Sequence, residues 1–235
     1  MWIHVSKLLV INPVSVDIWD NLVLEYAERV LSPGTSIVVR HLPGAPPFIE
    51  TDYERELAAP LVVKEVLRAN REGFDAVVIN CFDDPGLEAS REVSDIPVLG
   101  IGETSLSVAM LLGYNIAIVS TGKGWSALYR RRVSALGIER RVVYISSIEV
   151  PILDLRRDVE KIKSMLLAEI ERAVKEHGVD VVVLGCGGFI GLSSELSEKA
   201  GIPVVDPTLT TLKVAEAVVN LGLKHRKMKS PPETL

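Results

Sequence analysis

Gly73-Phe74-Asp75-Ala76-Val77-Val78-Ile79-Asn80-Cys81 recurs later in the chain as Gly178-Val179-Asp180-Val181-Val182-Val183-Leu184-Gly185-Cys186. Each stretch is a glycine turn, an acidic residue two positions on, and an aliphatic run without polar alternation. That pattern reads as a strand buried on both faces of a parallel sheet. Each copy ends on one of the chain's two cysteines. The match continues through Gly86-Leu87 and Gly191-Leu192. After one extra residue in the second copy it reaches Ile96-Pro97-Val98 and Ile202-Pro203-Val204. An internal duplication therefore sets two thiols at equivalent points, where they could face each other across one cleft.

Outward from this repeat, further short Val/Ile-rich runs at 7–12, 36–41, 98–101, 115–120, 141–146 and 204–205 join the repeat strands at 76–80 and 181–185. Helical patterns separate them at 18–31 (after Asp17 as N-cap), 58–72 (starting near Pro60), 104–112, 125–136, 159–177 and 209–221. Strands alternating with helices imply parallel α/β architecture. The expected fold is two pseudo-symmetric flavodoxin-like lobes, each with a mainly parallel sheet flanked by helices, and an active site in the cleft between them. Residues 1–101 plus 208–226 are expected to form the first lobe and 102–207 the second, with 227–235 as a tail. The chain would cross between lobes near 101 and 207.

The 235 residues suffice for one large or two modest cores, and a hydrophobic fraction of 48% excludes a disordered chain. A net charge of −5 gives no electrostatic case for nucleic acid or an anionic membrane. The basic run His225-Arg226-Lys227-Met228-Lys229 reads as a solvated terminus. Met1 to Lys7 leads directly into strand-like sequence, so no signal peptide is expected. No apolar stretch approaches the roughly 18–20 residues that span a bilayer. A cytoplasmic protein with reduced thiols is expected.

In open parallel sheets, ligands bind beyond the carboxyl ends of the strands, where Cys81 and Cys186 fall. Helix N-termini there favour negative charge, so each thiol is expected to ionise more easily than an ordinary cysteine. Asp83-Asp84-Pro85 has the pattern of a cap followed by a first-turn proline, and Gly185, Gly187 and Gly188 leave the second turn bare for backbone contact with a ligand. Zinc would need more than two cysteines without neighbouring histidines. The four histidines share no motif and read as structural or surface residues. Gly122-Lys123-Gly124 lacks the spacing of a phosphate-binding loop, although Lys123 or Trp125 could close over the cleft.

Ile11-Asn12-Pro13, Cys81-Phe82-Asp83-Asp84-Pro85-Gly86, Ile101-Gly102-Glu103 and Gly185-Cys186-Gly187-Gly188 resemble the aspartate/glutamate/hydantoin racemase superfamily. Within it the chain most resembles the hydantoin racemase branch, which includes allantoin racemases. The resemblance spans nearly the whole chain. It implies racemisation without cofactor or metal, acting on a small molecule, by an enzyme that commonly associates with copies of itself. One cysteine, as thiolate, would remove the hydrogen from the stereocentre while the other, as thiol, protonates the opposite face. Backbone amides near Phe82-Asp83 and Gly187-Gly188 would stabilise charge on the ring carbonyl oxygen. Asn12, Ser15, Pro47, Phe48 and Thr121 occupy the family's substrate-facing loops, with Thr121 as a hydrogen-bond donor.

The chain departs from that pattern at Val14 and Val16, where the family's first loop carries an amide and a hydroxyl. Phe48 stands at a position often small and polar. These changes favour a more apolar pocket. Asp83 could cap or catalyse, Asn12 could bind ligand or hold a turn, and Glu103 reads as a helix-start residue. Aspartate and glutamate racemases usually follow the first cysteine with Asn-Thr, whereas Phe82-Asp83 suits a neutral ring. Arylmalonate decarboxylases keep a single catalytic cysteine, so the retained pair argues against decarboxylation. An amino-acid racemase or maleate isomerase of the same superfamily, and a two-lobed binding protein without turnover, remain the alternatives.

Overall fold

A computed structural model describes residues 6–122 and 125–228, with 125 and 126 as backbone only. His4, Lys123, the Trp125 side chain and the tail beyond 228 lie outside the described residues. Two four-stranded parallel sheets form the α/β framework. The first contains β1 (Lys7–Asn12), β2 (Ser36–His41), β3 (Ala76–Ile79) and β4 (Val98–Gly100) in the order β2-β1-β3-β4. The second contains β5 (Ile116–Ser120), β6 (Val142–Ser147), β7 (Val181–Leu184) and β8 (Val204–Val205) in the matching order β6-β5-β7-β8. The helices are α1 (Asp20–Val30), α2 (Asp52–Arg71), α3 (Leu87–Val93), α4 (Ile101–Leu112), α5 (Trp125–Ala135), α6 (Val159–His177), α7 (Ser193–Ala200) and α8 (Pro207–Asn220).

Continuous burial follows from helices on both sheet faces. Leu8 and Val10 pack with Val23 and Ala27 of α1 and with Leu212 and Ala215 of α8. Leu9 and Ile11, pointing the other way, pack with Val62 and Val66 of α2. Each such side chain contributes about 1.5–3 kcal/mol of burial. The chain crosses from the first sheet to the second through α4. Ile101 still packs in the first lobe, while Leu106 and Ala109 pack with Ile116 and Ile118 of β5. α8 returns to the first sheet. Between the lobes, Val14, Trp19, Ile49 and Ala58 join Ile148, Leu155 and Phe189 in one apolar cluster.

Several helix starts differ from the sequence expectation. α1 is preceded by Trp19 at the N-cap rather than Asp17, whose carbonyl accepts the Asp20 N–H at 2.9 Å. α2 begins at Asp52 because Thr51 and Glu54 form a reciprocal capping box, and Pro60 lies inside the helix on its exposed face. Gly86, in the left-handed region at φ 72°, caps α3 in place of the Asp83-Asp84-Pro85 pattern.

Candidate functional site

The carboxyl ends of β3 and β7 face one another across a cleft of about 600 Å³ between the lobes. Both cysteines line it, and both are free thiols. The cleft brings together Asn12, Phe48, Phe82, Asp83, Thr121, Gly187 and Gly188 of the sequence-expected residues. Ser15 and Pro47 are absent from its lining. The Ser15 N–H donates to the Pro46 carbonyl at 3.0 Å, tying the two loops together by backbone, and Pro47 is exposed. Sequence reading missed Trp19, Ile49, Asn80, Ser120, Tyr129 and Ile152, which complete the wall. Asn80 adjoins Cys81 and carried a signal as a polar residue ending an apolar strand. Trp19 lies in the run 18–31 expected to be helical and serves as the N-cap of α1, and Ile152 opens a short 3-10 turn; neither pattern points to the cleft.

Asn12 and Asn80 form an oriented amide pair. Thr208 Oγ1 donates to Asn80 Oδ1 at 2.7 Å, and Asn80 Nδ2 donates to Asn12 Oδ1 at 2.7 Å. Asn12 Nδ2 donates to Asp20 Oδ1 at 2.6 Å, whose other oxygen lies 2.8 Å from His41 Nδ1. Asn12 is thus fixed structurally, while each amide retains a second N–H for a ligand. Thr121 sits in the wall, but its hydroxyl donates to the Val150 carbonyl. It can accept from a ligand rather than donate, contrary to the sequence expectation.

The second cysteine is held by its glycines. A Cβ on Gly185 would lie 2.9 Å from Ser120 Cβ, one on Gly187 2.9 Å from Asn80 Oδ1, and one on Gly188 2.9 Å from Leu155 Cδ1. Tyr129 OH donates to the Gly185 carbonyl at 2.6 Å, and its ring meets Phe82 edge-on at 5.0 Å between centroids. The first cysteine turn is held by charge instead. Asp84 lies in the left-handed region at φ 49° and accepts from the N–H groups of Gly102 (2.9 Å) and Glu103 (2.8 Å). It thereby caps α4 across the fold. Arg132 of α5 donates to the Asp83 carbonyl at 2.8 Å, and Glu103 pairs with Arg91 at 3.0 Å.

The expected easy ionisation of the thiols is overturned. Burial raises the Cys81 thiol well above its ordinary range, and the neighbouring Asp83 and Asp84 carboxylates raise it further. Burial likewise pushes Cys186 up to about 11. The helix-terminus argument fails locally: only a three-residue 3-10 turn, Gly187–Phe189, follows Cys186, and α3 begins beyond Gly86. Gly188 N–H, expected to face a substrate oxygen, lies 3.3 Å from Cys186 Sγ as its donor. Burial also lifts Asp83 to about 6 and Asp84 to about 7. Asp83 Oδ2 and Arg55 Nε face each other at 3.3 Å without hydrogen-bond alignment. Among the described residues no group of three metal-ligating side chains converges, and no helix is long and apolar enough to cross a membrane.

The Asp/Glu/Hydantoin racemase family model matches residues 8–215. A hydantoin racemase of Pseudomonas sp. (strain NS671) is 34% identical over 95% of this chain and 90% of its own. One from Rhizobium meliloti is 33% identical over 94% and 91%. The structure of an allantoin racemase from Klebsiella pneumoniae superposes with a TM-score of 0.91 at 29% identity, covering 97% of this chain and 95% of that one. Duplicated sheets, a shared cleft and these likenesses converge: the chain belongs to the Asp/Glu/hydantoin racemase family, as an isomerase of the racemase class.

Proposed function

We propose that this enzyme inverts the ring stereocentre of 5-substituted hydantoins or related cyclic ureides such as allantoin, using Cys81 and Cys186 as its acid–base pair. The observation that carries this reading is the placement of both sulfurs on one cleft at equivalent strand ends. A thiolate on one side takes the ring-carbon proton, and the electron pair passes into the adjacent carbonyl. The opposing thiol then delivers its own proton to the other face. The second N–H groups of Asn12 and Asn80 suit the ring carbonyls, and the Thr121 oxygen suits a ring N–H. Of the three departures, Val14 and Phe48 line the cleft with Trp19, Ile49 and Ile152, while Val16 packs behind them. That wall favours an apolar 5-substituent.

Because a thiolate must form in a buried site, kcat/KM should climb with pH between about 7 and 9. Raising pH fills the one-thiolate form, and ionising both thiols removes the proton donor at the alkaline limit. A profile flat across this window contradicts the burial argument. The reaction itself is tested with an enantiopure 5-substituted hydantoin in heavy water. Optical rotation should decay while deuterium enters the ring carbon, with EDTA changing nothing. Turnover of aspartate, glutamate or maleate instead would move the enzyme to another activity of its family. Thermal stabilisation by ligand without isotope exchange would mark a binding protein.

The same reading makes residues 1–101 plus 208–226 one lobe and 102–207 the other, which the packing of α8 on the first sheet supports. Free thiols suit a cytoplasmic enzyme. Exposed Leu111, Leu112 and Tyr114, adjacent at one end of the second lobe, support association with further copies.

A further inference from the structure

The two sulfurs end equivalent strands yet meet opposite charges. Cys81 is followed by the buried carboxylates of Asp83 and Asp84, in a turn closed by the Asp84 N–H donating to the Cys81 carbonyl at 2.9 Å. Arg55 of α2 pairs with Asp83 at 3.3 Å, and Arg132 of α5 with Asp84 at 3.8 Å. Cys186 accepts the Gly188 N–H at 3.3 Å, and the positive charge of Arg156 favours its ionisation. Arg156 Nη2 donates to the carbonyl of Ile190, in the turn that Cys186 opens. Its Nε is buried and without a hydrogen-bond partner among the described residues.

Other charged groups face the same atoms. Tyr26 of α1 and Asp206, the N-cap of α8, lie near Arg156, while Glu50 opposes ionisation of Cys186 from the first lobe. The Asp206 carboxylate already accepts from Gly191 N–H at 2.7 Å and Leu209 N–H at 3.0 Å. Arg156 is therefore the cation whose charge Cys186 feels, and it is held by the turn that carries the sulfur.

We propose that Arg156 is a positioning residue that makes Cys186 the resting base of the pair and leaves Cys81 the resting acid. This rests on the two-thiol reading above and gives it a direction. In the free enzyme, Cys186 Sγ is the first to lose its proton. It takes the ring-carbon hydrogen of one enantiomer as H⁺, forming S–H, while the C–H electron pair moves toward the carbonyl. Cys81 gives its S–H proton to the opposite face and is left as thiolate. The opposite enantiomer needs the reverse charge pattern, so a proton must pass from Cys81 to Cys186 before its turnover. The suppressed ionisation of both thiols is consistent: a backbone N–H works against burial at each sulfur, from Asp83 at Cys81 and from Gly188 at Cys186, while the Asp83 and Asp84 carboxylates add to burial at Cys81 and Arg156 opposes it at Cys186.

The test is iodoacetamide alkylation without substrate, followed across pH by peptide mass in the native protein and in the Cys81→Ala and Cys186→Ala proteins. The midpoint of the rate–pH curve separates ionisation from access. The Cys186 midpoint should lie about one pH unit or more below that of Cys81, a tenfold difference in thiolate fraction. Arg156→Met should raise the Cys186 midpoint by a similar amount and leave that of Cys81 in place, and Arg156→Lys should restore most of the shift. A Cys81 midpoint equal to or below that of Cys186 in the native protein overturns the proposal, whatever the variants do. So does a folded Arg156→Met protein whose Cys186 midpoint has not moved. Racemisation is read separately: an ordered labelling pattern without turnover sinks the racemase reading while leaving the charge asymmetry standing.

Discussion

The Cys81 turn and the Cys186 turn began as copies and are now supported by different means. Cys186 sits among glycines that let Asn80, Ser120 and Leu155 approach its backbone. Cys81 sits beside side chains: Asp84 reaches to the start of α4, and Arg132 reaches back from α5 of the other lobe. The duplication kept the position of the sulfur, fixed by strand length and register, and released the turn that follows. A position set by sheet geometry survives divergence that the charge around it does not.

The largest effects should fall on both turns alike. Cys81→Ala and Cys186→Ala should each cut net racemisation about 10²–10⁴-fold, read by polarimetry with circular dichroism confirming the fold. A variant that racemises at the native rate would remove its turn from the chemistry. Next, Gly102→Ala should destabilise by about 3 kcal/mol, since its Cβ would lie 2.0 Å from the Phe82 carbonyl beneath the Cys81 turn. Gly188→Ala meets side-chain atoms alone, Leu155 Cδ1 at 2.9 Å, Trp19 Cη2 at 3.2 Å and Cys186 Sγ at 3.4 Å, and should cost less, about 1–2 kcal/mol. Thermal melts reversing that order would break the contrast between a turn backed by fixed main chain and one backed by side chains that can shift.

Asp84→Ala should lower stability by about 1–2 kcal/mol by uncapping α4, a melting shift of roughly 2–8 °C in a chain of this size. An unchanged melt would mean that the Gly102 and Glu103 N–H groups find water instead. The smallest effect separates two readings of the substrate loop. Ser15→Ala, outside the cleft lining, should leave KM within about twofold of native, whereas Asn80→Ala should raise it about tenfold through loss of one hydrogen bond to a neutral ligand.

Much of this was legible in the sequence because repetition and apolar periodicity are local. The strands at 7–12, 36–41 and 204–205 are read to the residue. The start of α2 was obscured by Pro60, which suggests a beginning, while the Thr51–Glu54 box that sets it lies further upstream. The convergence of Cys81 and Cys186 on one cleft followed from the duplication. The ionisation of those thiols did not, because it depends on how far Asp83 turns from Arg55 and on burial between lobes, neither of which a spacing encodes. Trp19 reaches the cleft from the N-cap of α1 and Ile152 from a 3-10 turn after β6, where local pattern carries no information about which distant strand end each will meet.

The return of α8 to the first sheet bears on how the chain is made. Leu8, Val10 and Val78 emerge early from the ribosome, yet Leu212 and Ala215, which cover them, come from the helix Pro207–Asn220. At about 5–20 residues per second that apolar face waits on the order of ten seconds or more. The second sheet is covered by α4, α5 and α6, all made before its last strand, so the half made later can mature before the half made first.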